Sequence, residues 1–271
     1  MTDRRFVFLI GAARSGTKFL RDTLAASGDV AAVPYDINYV WRHGNENCPH
    51  DEIAPGDIDD KTARHIRTTV ERLALKGRKD SPSIILEKTV SNTLRMDTVR
   101  RIFPEAEFIL LERDGLDVTE SAYRQWTTPN SRDYIFQKLR YFPVREWRYA
   151  IWFARNLVTS SDAPPVWGPR YDGIYEDLSD LGTAQTCAHQ WASSVKSARK
   201  AASDADTLRI RYADLGNPGG LNQVLDKLAV DDPQHILDQL ATSFSHISSW
   251  PGSIPTADQS ACEHVVRAVV N

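Results

Sequence analysis

Residues 5–24, RFVFLIGAARSGTKFLRDTL, constrain this chain more than any other stretch. The apolar run ends at Gly11 and passes through Arg14-Ser15-Gly16-Thr17-Lys18. It then gives way to Phe19, Leu20, Thr23 and Leu24 on one helical face. A strand, a glycine-bounded loop and a helix in this order bring free backbone N–H groups and a positive helix end to one point. Gly11 and Gly16 permit the tight path, Arg14 adds a charged fork, and Ser15 and Thr17 add hydroxyl donors. The chemistry is that of an anion cradle. It departs from the nucleotide-hydrolase loop G-x-x-x-x-G-K-[S/T], because Thr17-Lys18 stand where that loop needs lysine and then a hydroxyl for magnesium. A plain strand-to-helix turn with two structural glycines is the other reading of the same residues.

Four more short apolar runs, at 30–33, 83–87, 106–112 and 207–212, read as strands. Helical patterns lie at about 59–77, 91–103, 115–127, 132–159, 183–203, 217–229, 232–244 and 259–270. Strands alternating with helices predict an α/β fold. The expected form is a three-layer sandwich around a central, mostly parallel five-stranded sheet, with both faces of the sheet covered. A length of 271 residues suits a single domain, residues 1–271, with insertions at about 37–82 and 129–182. Within them, 44–57 and 160–182 are rich in glycine and proline and read as loops. A net charge of -3 gives no footprint for nucleic acid. No apolar run approaches the roughly 20 residues of a membrane span. Cys48, Cys187 and Cys262 are few and widely spaced, which suits a reducing compartment and provides no metal-ligand spacing. These features predict a cytoplasmic protein without a metal site.

A second motif adds to the first. In FILLERDGLDVTESAYRQW, residues 108–126, a buried run ends at Arg113 and a helix follows with Asp117 and, two turns in, Ser121. An arginine fork and a serine hydroxyl at that spacing suit a phosphate. Taken with the first loop, the motif resembles the sulfotransferases that use 3′-phosphoadenosine 5′-phosphosulfate (PAPS). Arg14-Ser15-Gly16-Thr17 resembles their 5′-phosphosulfate loop, P-[RK]-S-G-T-T-x-L, with Ala13 in place of proline and Lys18 in place of the second threonine. Arg113, Asp114, Asp117 and Ser121 resemble R-[DN]-x-x-D-[VA]-x-x-S. LEKTVSNTLR (86–95) partly matches a lysine motif, K-[TD]-P, at Lys88-Thr89, with Val90 in place of proline. QWASSVKSARKAASDADTLRIRYADL (190–215) resembles a late helix and strand of the family, with Ala213 in place of glutamate. The likeness covers residues 5–36, 84–126 and 187–215.

The resemblance implies a P-loop-like sulfotransferase fold, PAPS as donor and 3′,5′-adenosine diphosphate as product. It implies in-line transfer of a sulfuryl group to an acceptor hydroxyl of a carbohydrate or small-molecule alcohol. Arg14, Ser15, Gly16, Thr17 and Lys18 would hold the 5′-phosphosulfate, and Arg113 and Ser121 the 3′-phosphate. Arg124 would be a second arginine near that phosphate. Arg14 and Lys88 would be the cations at the transferring group, beside the backbone donors of 15–18. Asp36 would be the base for the acceptor, although an aspartate after Pro34 also suits a turn or a helix cap. His43 and Glu87 are the competing bases. Asp117 reads as a helix-start charge or cap. Tyr35, Tyr39, Trp41 and the aromatic-rich stretch 134–153 suit acceptor stacking or helix packing. Two other functions fit the first loop: a P-loop kinase or nucleotide hydrolase, and a non-catalytic nucleotide-binding module.

Overall fold

The five apolar runs form five strands: β1 Arg5–Ile10, β2 Val30–Ala32, β3 Ile84–Glu87, β4 Glu107–Glu112 and β5 Thr207–Arg211. The computed structural model describes residues 4–128, 166–203, 205–231, 233–244 and 248–270; the helix expected at 132–159, with its aromatics, lies outside them. The strands stand in the order β2-β3-β1-β4-β5, and every neighbouring pair is parallel. Phe8 pairs with Glu87 at the end of β3 and with Phe108 near the start of β4, so the C-terminal ends step outward from β3 to β1 to β4.

Side chains alternate between the two faces of the sheet. Phe6, Phe8, Ile10, Ile85, Phe108 and Leu110 bury one face against α3 (Asp60–Ala74) and α4 (Met96–Ile102), through Ile66, Val70, Val99 and Ile102. Val7, Leu9, Ile84, Leu86, Ile109 and Leu111 bury the other face. There they meet Leu20 and Leu24 of α1 (Thr17–Leu24), Val224 of α8 (Pro218–Leu228) and Ile236 of α9 (Gln234–Ser243). This is the expected three-layer sandwich. Each such side chain contributes about 1.5–3 kcal/mol on burial, so the sheet is the rigid part from which the connecting loops project.

The remaining helices are the four-residue α2 (Asn38–Trp41), α5 (Gly115–Thr127), α6 (Ile174–Asp180), α7 (Gly182–Ala201) and α10 (Thr256–Val270). Two expectations need correction. The helix expected at 91–103 is a 3₁₀ turn, Val90–Leu94, and then α4, broken at Arg95 with φ -144 and ψ 34. The Arg95 guanidinium donates to Asn92, to Asn38 and to the Asp51 carbonyl, and these bonds hold its backbone out of the helix. The stretch 160–182 is not loop throughout, because α6 lies inside it, bounded by Gly173 at φ 91 and Gly182 at φ 77. Glycines that looked like loop punctuation mark helix ends. Among the described residues, no helix is long and apolar enough to cross a membrane.

Candidate active site

Parallel sheets of this kind bind ligands beyond the C-terminal ends of their strands. There the sheet order sets the candidate residues in a row. The segment after β2 carries Asp36, β3 runs into Lys88, β1 runs into the 11–16 loop, and β4 runs into Arg113. Neighbouring strands lie about 4.8 Å apart, so the row spans roughly 14 Å at the backbone.

The loop between β1 and α1 turns through two left-handed residues, Arg14 at φ 70 and Gly16 at φ 92. A Cβ on Gly16 would lie 2.3 Å from the Tyr212 ring, and one on Gly11 would lie 2.6 Å from Thr17 Cγ2. Both glycines are therefore required by close approach. The Ser15 amide donates to the Ala12 carbonyl at 3.1 Å, so the expected set of cradle donors, 15–18, narrows to 16–18. Those amides lie ahead of the bond from Leu20 N–H to the Gly16 carbonyl. The first turn of α1 has no acidic residue. Ser15 and Thr17 are buried, and their hydroxyls take no hydrogen bond among the described residues. Lys18 turns outward to Asp22 at 2.7 Å, with 77% of its side chain exposed. Only its backbone amide faces the cradle, and no lysine occupies the place a nucleotide-hydrolase loop requires.

The loop and the second motif meet. Arg14 Nε donates to Ser121 Oγ at 3.0 Å, and Arg113 Nη1 reaches the Arg14 carbonyl at 3.4 Å. Burial, and then the charges of Arg124 and Arg113, push the Arg14 pKa below its usual value. Two further guanidinium groups thus stand near Arg14, which alone of the three bonds the Ser121 hydroxyl among the described residues. Arg124 is the one with a nearby carboxylate, Glu120 at 3.3 Å. Arg113 lies over the Tyr212 ring at 4.8 Å, and its buried Nε has no partner among the described residues. This leaves one buried donor of Arg113 unpaired. The Arg14 side chain lies with Ser121 of α5, on the β4 side of the loop.

On the other side, Lys88 Nζ meets Asp36 Oδ1 at 2.5 Å, with Lys88 nearly buried and Asp36 36% exposed. Asp36 Oδ2 takes no hydrogen bond among the described residues. Nor does Asp36 cap α2, whose N-cap is Ile37 without a side-chain bond. His43 stacks on His65 of α3 at 4.0 Å, away from this pair. Glu87 is buried among Thr89, Trp41 and Asn92. Trp41 is core: it packs edge-on against Phe8 and gives its N–H to Glu87. Tyr35 and Tyr39 pair through their hydroxyls at 3.3 Å.

Three features had no local signature. Asp51 is fully buried and accepts from Arg42 at 2.8 Å, Arg170 at 3.1 Å, Ser91 at 3.0 Å and Asn38 at 3.2 Å. Burial pushes its carboxyl up; Arg95, Arg170 and Arg42 outweigh that and hold it below the usual carboxylate range. This hub ties α2, the 3₁₀ turn after Lys88 and the segment before α6 together. The second is the part played by Tyr212, which the sequence places in a strand-end motif, RYADL, and whose ring fills the space against Gly16 and beneath Arg113. The third is the use of Asp117. It is the acidic residue of the first helical turn, one of the two roles read for it, while Asp114 supplies the cap of α5, accepting from the amides of Leu116 and Asp117. Asp117 accepts from Ser248 Oγ at 2.6 Å and Ser249 N at 3.2 Å, and so anchors a distant segment.

The model of the sulfotransferase family matches residues 7–165, more than half of the chain. Solved structures resemble it at low identity. The sulfotransferase STF9 from Mycobacterium avium has 10% identity and a TM-score of 0.52, over 91% of this chain and 70% of that one. A sulfotransferase from Alicyclobacillus acidocaldarius has 17% identity and a TM-score of 0.46, over 98% and 96%. Mouse sulfotransferase SULT7A1, solved with PAP, has 12% identity and a TM-score of 0.47, over 98% and 84%. No curated protein matches the sequence. With the five-stranded parallel sheet and the family match in agreement, the chain belongs to the sulfotransferase family.

Proposed function

We propose that this protein transfers the sulfuryl group of PAPS to the hydroxyl of a carbohydrate or small-molecule alcohol, releasing 3′,5′-adenosine diphosphate. One observation carries the proposal: beyond the C-terminal ends of the strands, the glycine-bounded loop lies between an arginine cluster and a lysine–aspartate pair. Arg113, Ser121 and Arg14 stand at one end and the Lys88–Asp36 pair at the other. The donor set suits a ligand with anionic groups at two places, since Arg113 Nε and the hydroxyls of Ser15 and Thr17 are unspent.

Bound there, PAPS would supply a sulfuryl group on a phosphate leaving group. Arg113 and Ser121 would hold the 3′-phosphate, with Arg124 released from Glu120 to join them. The amides of Gly16, Thr17 and Lys18, with Ser15 and Thr17, would hold the 5′ end. Lys88 would put positive charge where negative charge develops, and removing one such preorganised donor typically costs about 3 kcal/mol of barrier. Asp36 keeps one oxygen on Lys88 and has the other free to take the acceptor proton. The residues 1–271 would serve as one domain. The free thiols of Cys48, Cys187 and Cys262 support a cytoplasmic setting.

The test is calorimetric titration with 3′,5′-adenosine diphosphate beside ATP with magnesium. The first should bind at least roughly tenfold tighter. Tighter binding of magnesium ATP would favour a kinase or hydrolase and end this reading. Asp36→Asn should then lower turnover of PAPS to 3′,5′-adenosine diphosphate by roughly 10² and leave affinity for 3′,5′-adenosine diphosphate in place.

A further inference from the structure

Glu87 is the last residue of β3 and is 1% exposed. Its Oε1 accepts from Thr89 Oγ1 at 2.5 Å and from Trp41 Nε1 at 3.3 Å, and its Oε2 accepts from Asn92 Nδ2 at 3.0 Å. No cation reaches it at hydrogen-bond distance among the described residues, because Lys88 turns to Asp36. A buried carboxyl without a touching cation is a costly way to fill space. Its three partners suggest what the cost achieves.

The Thr89 hydroxyl has one hydrogen, and it is committed to Glu87. Its lone pairs are left for the buried Ile37 N–H, which donates to Thr89 Oγ1 at 3.0 Å. Ile37 directly follows Asp36 and begins α2, where a helix has no backbone acceptor for its first amides. We propose that Glu87 is a positioning residue: through the Thr89 hydroxyl it fixes the Asp36–Ile37 peptide, and with it the carboxylate opposite Lys88. This rests on the reading of Asp36 as the base.

The wiring is sensitive to pH. Asp36 from the segment after β2, Lys88 next in the chain and Arg95 before α4 act electrostatically on Glu87, but burial dominates and pushes its carboxyl up to about 7. The ionised group accepts from all three donors. The neutral group carries a proton on one oxygen and, without its charge, accepts from these donors more weakly. The hold on Asp36 therefore strengthens as pH rises through about 7.

Two readouts test it, one independent of catalysis. In ¹H–¹⁵N spectra the Ile37 amide should move with a midpoint near pH 7, and the movement should vanish in Glu87→Gln. Thr89→Val should speed hydrogen exchange at Ile37 by roughly tenfold or more, having removed its acceptor. It should also lower turnover of PAPS to 3′,5′-adenosine diphosphate at least roughly tenfold, with affinity for 3′,5′-adenosine diphosphate within about twofold of the parent. Thr89→Ser keeps the hydroxyl and should restore both. The Thr89 pair gives an answer even if Glu87→Gln does not fold. An Ile37 amide that does not titrate, or a Thr89→Val protein identical to the parent in exchange and turnover, would overturn the inference. If Asp36→Asn turns PAPS over at the parent rate while Ile37 still titrates, the base assignment fails and the hold of Glu87 on that peptide is supported.

Discussion

Arg14 occupies left-handed backbone at φ 70, a conformation that costs a residue with a Cβ about 1–2 kcal/mol. Two further guanidinium groups stand close enough to lower its pKa. Stability alone would place glycine there; what arginine contributes is a charged fork on Ser121. Arg14→Gly should therefore leave stability within about 1 kcal/mol of the parent or raise it, because relief of strain offsets the extra freedom of glycine in the unfolded chain. Affinity for 3′,5′-adenosine diphosphate should fall roughly tenfold or more with the lost charge-assisted bond. Denaturant melts and calorimetry on the same sample check both halves. Arg113→Ala separates the two phosphates. It should weaken 3′,5′-adenosine diphosphate by about 1.5–3 kcal/mol and 5′-adenosine monophosphate far less. Equal losses would remove Arg113 from the 3′ end.

At the scale of elements, α5 joins the parts of the site. Asp114 caps it, Ser121 receives Arg14, and Asp117 and Glu120 hold residues 248–253 through Ser248, Ser249 and Ser253. Its first residue, Gly115, lies against α7: a Cβ there would sit 2.7 Å from the Trp191 ring. Propensity alone would make Gly115→Ala stabilising by up to about 1 kcal/mol. Contact with a rigid indole decides the other way. Gly115→Ala should lower the melting temperature and weaken 3′,5′-adenosine diphosphate, since α5 carries Ser121; a more stable variant with parent affinity would contradict this packing. The contrast with Asp51 explains what the sequence made legible. Arg113 and Ser121 lie on one continuous strand, turn and helix, so their spacing fixes their geometry. The central strands β1, β3 and β4 were legible for a related reason, as apolar runs buried on both faces, whereas β5, TLRIR, is apolar only at alternate positions. Asp51 draws its partners from positions 38, 42, 91 and 170, and no local pattern joins them. The break at Arg95 was hidden likewise, since long-range bonds to Asn38 and Asp51 help make it. The pairing of Lys88 with Asp36 needed the order of β2 and β3 in the sheet, which becomes visible only on folding.

For the molecule as a whole, two buried carboxyls shape the response to pH from opposite sides. Asp51 is held below the usual range by three arginines. Its contribution is fully present above the unfolded aspartate value of about 3.9 and is lost as pH falls below it. Glu87 is raised from 4.5 to about 7 by burial. The fold favours its neutral form, so its contribution is complete below about 4.5 and is lost as pH rises through about 7. The rise corresponds to on the order of 3 kcal/mol. Stability should therefore be greatest between about pH 4 and 6, below the range in which ionised Glu87 would hold the Asp36 peptide. Melting temperatures measured across this range check the sign: they should fall between about pH 5 and 8 in the parent and lose most of that slope in Glu87→Gln. The level of the Glu87→Gln curve is less informative than its slope, because the amide replaces one acceptor with donors facing Asn92. Asp51→Asn should act on the acid side. It leaves Arg42, Arg95 and Arg170 around a neutral amide, a loss of about 3–5 kcal/mol at neutral pH, and it should flatten the acid limb. A parent curve that rises steadily from pH 5 to 8, with Asp51→Asn unchanged in stability, would show that neither carboxyl is placed as described.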